Sequence, residues 1–431
     1  MKRSPAGGSD TGYKDATKAW LGPAGHGVMR LSGLRMFGKN HCPALWALLH
    51  GLAFGIPVAP DKALGQIAAP PSSAQAGASV PTFAPEVKED RTVRFHLRAP
   101  DARSVRLQSS DLQGTGIREL PELQRDSQGV WSCTVGPVPA GAYRYRFLVD
   151  GLSVTDPGNP TVSESNDTVW SLVLVPGSEW FDMKPVPHGA VAEVWYWSTT
   201  LQRHRRMHVY TPPGYEIGTK HYPVLYLLHG ATDSDHSWTS VGRAGLILDN
   251  LIAAGRARPM IVVMPHGHTG PFRFGMRFSE EFERDFLTDL LPEVERRYRV
   301  RTERRDRAMA GLSMGGMQAL NVLMHRPLAF VQVGVFSSGI FGLGGRPGPT
   351  TPGSRWDEQH RAVLTNPAVR EGFHQLWFAT GRDDFVVETS RATVDLFRQH
   401  GWPVVYKETD GGHTWNNWRD YLVEFVPLLF R

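Results

Sequence analysis

Cysteine is almost absent from this chain: Cys42 and Cys133 are the only two in 431 residues. Two thiols cannot supply a thiolate zinc or iron–sulfur site, nor a disulfide framework. A clean apolar run of about 20 residues, the length a membrane helix requires, is also missing. The nearest approach, "CPALWALLHGLAFGIPVA" from Cys42 to Ala59, is interrupted by Pro43, His50, Gly51, Gly55 and Pro57. The body of the chain lacks an excess of charge of either sign. The formal charge is +5, but the first 65 residues hold eight Lys/Arg against three acids, and the remainder balances at 39 against 39. The basic surface that nucleic-acid binding requires is therefore not expected. No repeat period is present.

What the sequence does contain falls into four parts. Residues 1–65 read as a targeting segment: Arg35 and Lys39 precede the interrupted apolar run, and small residues Ala63 and Gly65 precede Gln66, the order of a secretory signal. The length before Met36 makes Met29 or Met36 alternative starts. The expectation is a secreted or periplasmic protein, with no stable membrane association after processing. Residues 66–85, including "AAPPSSAQAGASVPTFAP", form a Pro/Ala/Ser linker without apolar periodicity.

Residues 86–178 follow a period of two. Val93, Phe95 and Leu97 alternate with Arg94, His96 and Arg98, and Tyr143, Tyr145, Phe147 and Val149 precede a turn at Asp150-Gly151. Several short strands between Gly/Pro/Asp turns predict a small all-β, immunoglobulin-like sandwich. Its aromatics Trp131, Tyr143, Tyr145 and Trp170 read as core, with a sugar-stacking platform as the alternative.

After a Pro/Gly-rich junction, residues 190–431 change to a different pattern. "YPVLYLLHG" and "PMIVVMP" are continuous apolar runs of the kind a buried parallel strand needs, and "AGLILDNLIAAG" reads as a helix ending at Gly255. Phe282, Phe286, Leu290, Val294 and Tyr298 form a helical stripe that Pro292 is expected to kink or split. Alternating strands and helices predict an α/β fold with a mostly parallel sheet.

Within that region "GLSMGG", Gly311 to Gly316, lies between the strand "RAMA" and the helical "MQALNVLMH". A G-x-S-x-G on a strand-to-helix turn is the setting of a nucleophile elbow, where small flanking residues permit a sharp turn that exposes the Ser313 hydroxyl. Such a serine needs a base, and the base needs an acid, in the order Ser, Asp/Glu, His for this fold class. Asp383-Asp384 follows the strand "QLWFATG", and His413 follows "VVYKETDGG", so the order is met. Oxyanion donors are expected from the Met314 backbone N–H and from the loop after an early strand, at Gly230 and Ala231. Trp238, Phe272, Phe274 and Trp415 are candidates for lining a substrate pocket, with packing as the alternative. His229/His236 and His266/His268 read as loop histidines, and neither a metal nor a cofactor is expected. "GLGGRPG", Gly342 to Gly348, lacks the ending of a phosphate-binding loop.

From about Ala192 onward these stretches, together with "EEFERDFLTDLLPEVERRYRV", "FSSG" and "GGHTWNNWRDYLVEFVPLLF", resemble the esterase D-like α/β-hydrolases, particularly the feruloyl esterases of carbohydrate esterase family 1. The region with "AGAYRYRFLVDGLSVTDPGNP" resembles the early-set sandwich related to glycogen-binding modules. The resemblance implies a triad of Ser313, His413 and Asp384, the last residue of a Gly-x-x-Asp stretch, with Asp383 in reserve. It implies hydrolysis of feruloyl or acetyl esters on plant polysaccharide. Alternatives are a siderophore esterase or acyltransferase of the same superfamily and, in another class, a polysaccharide-binding protein with an inactive hydrolase domain.

Overall fold

The computed structural model describes residues 84–271, 280–343 and 356–431. The expected targeting segment, nearly all of the linker, Phe272, Phe274 and most of "GLGGRPG" lie outside the described residues. All of the described residues belong to one compact unit.

The first part of that unit is built mainly of β-strands, with one short helix at Ser110–Gln113. β1 (Glu86–Val87), β2 (Val93–Arg98), β4 (Gln124–Arg125) and β5 (Val130–Val135) make one antiparallel sheet in the order β1-β2-β5-β4. β3 (Val105–Gln108), β6 (Gly141–Val149), β7 (Leu152–Val154), β8 (Val162–Glu164) and β9 (Val169–Val175) make a second, in which β6 and β9 are the central pair. Phe95 and Leu97 of one sheet meet Tyr143, Tyr145 and Phe147 of the other in a single core. The period-two pattern explains this: alternate residues of a strand share a face, so the aromatics of β6 turn inward and Arg144 and Arg146 turn outward. Tyr143 and Tyr145 are therefore core. Trp131 donates its indole N–H to the Ala99 carbonyl, and the Arg146 guanidinium covers Trp170 at 4.1 Å.

The outward face of β6 is also covered. Ala142, together with Leu172 of β9, joins the second hydrophobic core of the region that follows. The junction after β9 is docked as well: Phe181 is buried, and Asn250 donates to the carbonyls of Trp180 and Asp182.

The remaining strands form one eight-stranded sheet. β10 (Ala190–Ser198), β11 (Arg203–Thr211), β12 (Val224–Leu228), β13 (Ile261–Pro265), β14 (Arg307–Leu312), β15 (Gln332–Phe336), β16 (Gln375–Gly381) and β17 (Val404–Thr409) run in the order β10-β11-β13-β12-β14-β15-β16-β17. β10 and β11 pair antiparallel at one edge, and every pairing from β13 to β17 is parallel. β12 and β13 are buried along their whole length, which requires strands apolar on both faces.

The stripe Phe282, Phe286, Leu290 and Val294 is buried, but the helix is continued rather than kinked. Glu281–Asp285 is α-helical, Phe286–Leu290 is a π turn, and Leu291–Arg297 is α-helical again with Pro292 in its first turn. Proline has no N–H to donate, and its ring is accommodated by the wider winding just before it, where the Leu291 N–H reaches back to the Phe286 carbonyl. Tyr298 lies beyond the helix in extended backbone.

Candidate active site

Parallel strands deliver their C-terminal ends to one edge of the sheet, where side chains from distant parts of the chain converge. Ser313 follows β14, Asp384 follows β16, His413 follows β17, and Gly230 follows β12.

Ser313 occupies the sharp corner between β14 and the helix Met314–His325, with φ 51° and ψ −117°. A left-handed φ is costly for a residue with a Cβ, so the surroundings must impose it. They do so by close packing. A Cβ on Gly311 would lie 2.3 Å from the backbone of Gly315, and one on Gly315 would lie 2.6 Å from the His229 carbonyl. Strand and helix can approach this closely only because both positions are glycine. The Ser313 N–H donates to the Phe336 carbonyl at 2.9 Å, and Ser338 Oγ donates to the Ser313 carbonyl.

His413 reaches this corner from the loop before the helix Trp415–Phe425. Its Nε2 stands 3.0 Å from Ser313 Oγ, and its Nδ1 stands 3.0 and 3.1 Å from the two carboxylate oxygens of Asp384. Asp384 is 3% exposed, and its Oδ1 also accepts the Val386 N–H at 3.0 Å. Asp383 is exposed, and its backbone N–H is tied to the Gly411 carbonyl. A Cβ on Gly381 would lie 2.2 Å from that same carbonyl, so the acid loop and the histidine loop also require a small residue to touch.

The Met314 N–H lies in the first turn of a helix, where backbone donors have no intrahelical acceptor. It is therefore available beside the serine. Gly230 faces Ser313 from the other side: a Cβ placed there would be 3.5 Å from Ser313 Cβ. The neighbouring His229 is buried. Its Nε2 accepts the Gly267 N–H at 2.8 Å, which leaves Nδ1 as the donor to the Gly230 carbonyl at 2.7 Å. Burial, reinforced by His266 and His268, keeps His229 well below the ordinary histidine range, and burial lowers His266 to about 4. These imidazoles act as neutral spacers between two loops. Among the described residues no group of three or more His, Cys, Asp or Glu is arranged to hold a metal.

Two of the pocket candidates are corrected by the structure. Trp238 and Trp415 are each 1% exposed and pack on one another with ring centroids 5.0 Å apart. Trp238 donates its indole N–H to the Leu228 carbonyl. Large rings just after a buried strand and at a helix start are drawn into the core, leaving no face for a ligand. They form the floor beneath His413, since Trp415 meets Trp418 edge to face and Trp418 meets His413 edge to face at 5.0 Å. A residue missed in the sequence borders the site instead. Phe385, 64% exposed, lies with its ring 4.5 Å from that of His413. Its only sequence signal is its place directly after Asp384. A cavity of about 570 Å³ opens at the opposite end of the sheet, before β14, among Arg258, Arg301, Arg305 and His374. It is remote from Ser313.

The arrangement offers a hydroxyl, a hydrogen-bonded imidazole, a buried carboxylate and a helix N-terminus within one cluster, a constellation suited to acyl transfer. Comparison with known proteins agrees with that chemistry. The family described as "Putative esterase" matches residues 198–429. The chain belongs to this esterase family. The esterase is 37% identical over 269 residues to an endo-1,4-beta-xylanase/feruloyl esterase of Xylanibacter ruminicola, a match covering 60% of this chain and 36% of that protein. It thus spans only about a third of that relative. It is 25% identical over 228 residues to an acetyl esterase of Caldicellulosiruptor saccharolyticus, covering 48% of this chain and 83% of the other. Among solved structures, the enterochelin esterase of Shigella flexneri shares the fold with a TM-score of 0.58 at 18% identity, over 80% of this chain and 95% of that one. A ferulic acid esterase of Anaeromyces mucronatus does so with a TM-score of 0.51 at 22% identity, over 59% and 96%. The esterase therefore has the α/β-hydrolase fold.

Proposed function

We propose that this esterase works through a Ser313–His413–Asp384 triad and an acyl-enzyme, on feruloyl or acetyl esters of plant polysaccharide. The observation that carries the mechanism is the unbroken relay of contacts at 3.0 to 3.1 Å from Ser313 Oγ through His413 to Asp384. His413 Nε2 takes the Ser313 proton as Oγ attacks the ester carbonyl. Asp384 holds Nδ1–H in place and favours the imidazolium that forms. The Met314 N–H and an N–H of the Gly230–Ala231 turn stabilise the tetrahedral oxyanion. The alcohol departs with the proton from His413, and water repeats the sequence on the acyl-enzyme.

The polysaccharide-ester reading is supported by the names of the Xylanibacter and Caldicellulosiruptor relatives, and by Phe385, an exposed ring beside His413 that suits an aromatic acyl group. The basic, apolar, small-residue order of the first 65 residues supports export. The region from 86 to 178 fits an early-set sandwich, supported by its two antiparallel sheets over one core. A second reading, hydrolysis of a catecholate siderophore ester, draws on a likeness of fold to the enterochelin esterase that extends over 80% of the chain.

A panel of methyl ferulate, an aryl acetate, acetylated xylan and a catecholate siderophore ester, each assayed beside Ser313→Ala, tests these readings. Turnover of methyl ferulate that vanishes in the folded variant is expected. Turnover of the siderophore ester alone would shift the substrate class, and full activity in Ser313→Ala would overturn the mechanism.

A further inference from the structure

The loop after β12 carries the Gly230–Ala231 turn, yet much of what holds it comes from the strand-rich region, about 70 to 90 residues earlier in the chain. Arg144 of β6 donates from Nη1 to Asp233 Oδ1 at 2.7 Å. The same guanidinium is fixed by Asp111, through Nε at 3.0 Å and Nη2 at 3.1 Å. Arg144, Asp111 and Asp233 are 12%, 6% and 3% exposed at their side chains. Asp233 in turn closes the turn, its N–H donating to the Gly230 carbonyl at 3.2 Å, and its Oδ2 lies 3.0 Å from where a Gly230 Cβ would be. Ser165 forms a β-bridge to Asp233, and the Asn166 N–H donates to the Thr232 carbonyl. Beyond these, the Glu164 carbonyl accepts both Ser234 Oγ and Ser237 Oγ at 3.1 Å.

The same strand also touches the histidine side of the site. The Arg144 guanidinium lies 5.8 Å from the Trp415 ring, and buried Arg419, on the helix that follows His413, donates to the Ala142 carbonyl at 3.1 Å. Thus β6 touches both the loop after β12 and the helix that follows His413.

We propose that Arg144 is a positioning residue of the esterase: held by Asp111, it grips Asp233 and so sets the Gly230–Ala231 turn at the distance from Ser313 that an oxyanion donor requires. The strand-rich region is then part of the catalytic apparatus rather than an appended module. This inference rests on the triad reading above. A donor displaced from the oxyanion by a fraction of an ångström loses transition-state stabilisation while ground-state binding changes little.

The test uses the full chain with Arg144→Met, Arg144→Lys and Asp233→Asn, each beside Ser313→Ala. Steady-state kinetics on an aryl acetate are read together with thermal melting followed by circular dichroism. The expected result is a kcat lower by about 10- to 100-fold in Arg144→Met and Asp233→Asn, with KM within about threefold, and partial recovery in Arg144→Lys. Asp233→Asn keeps the shape and leaves Arg144 paired with Asp111, so it decides the matter if Arg144→Met does not fold. A kcat within twofold of the parent in folded variants overturns the proposal, as does a loss of activity that merely tracks the loss of folded protein. In both cases an inactive Ser313→Ala leaves the triad reading standing. Full activity in Ser313→Ala would instead remove the reading on which the proposal rests.

Discussion

Two adjacent aspartates offer a sharp test, because the structure gives them opposite environments. Asp384 is buried with both oxygens on His413 Nδ1, whereas Asp383 is exposed. In Asp384→Asn the Val386 N–H, now at 3.0 Å from Oδ1, retains the amide oxygen as its acceptor. The amide nitrogen then takes the place of Oδ2 and presents N–H to Nδ1. Nδ1 must become an acceptor, which moves the ring proton to Nε2, facing Ser313. That tautomer cannot take the serine proton, and the imidazolium loses its counter-charge. The expected loss in kcat is about 10³- to 10⁴-fold, or about 4 to 5.5 kcal/mol of transition-state stabilisation. KM should change little. Asp383→Asn removes an exposed charge with no contact to the histidine and is expected within about twofold of the parent. Aryl acetate kinetics on variants with matched circular dichroism melts would measure both. A larger defect in Asp383→Asn than in Asp384→Asn would refute the reasoning.

Two further expectations follow from the packing of the site. Gly311→Ala places a Cβ 2.3 Å from Gly315 backbone, forcing β14 and the serine helix apart by about 1 Å, against an overpacking cost of about 1 to 3 kcal/mol or more. A lowered melting temperature with reduced kcat is expected, while Gly270→Ala, with no atom of the described residues within 4 Å of its Cβ, should be neutral; equal stability of the two would contradict the close approach. The buried imidazoles make stability depend on pH. Burial keeps His229 and His268 below the usual histidine range and His266 at about 4, so they are neutral when folded and take up protons near pH 6.5 when unfolded. Their contribution is complete above about pH 6.5 and is lost as pH falls; for His266, held at about 4 when folded, the loss is about 2 kcal/mol at pH 5. Denaturant titrations at pH 7 and pH 5 should show that fall, with a smaller one in His266→Gln. No difference between parent and variant would remove His266 from the account.

The order of chemical groups along the chain was legible because local patterns write it. The glycines around Ser313, the apolar runs of β12 and β13 and the strand-to-loop exits before Asp384 and His413 are short-range requirements of turns and buried strands. The period of two along β6 placed Tyr143 and Tyr145 in a core for the same reason. Tertiary structure decided what composition leaves degenerate. An aromatic residue near a site reads alike whether it lines a pocket or lies beneath it, and only packing put Trp238 and Trp415 under His413 and left Phe385 exposed beside it. Adjacent Asp383 and Asp384 are equivalent as letters; backbone direction at the end of β16 separates them. Arg144 and Asp233 are 89 positions apart and carry no shared motif, since a long-range ion pair leaves no periodic trace and exists only where two sheets bring their faces together.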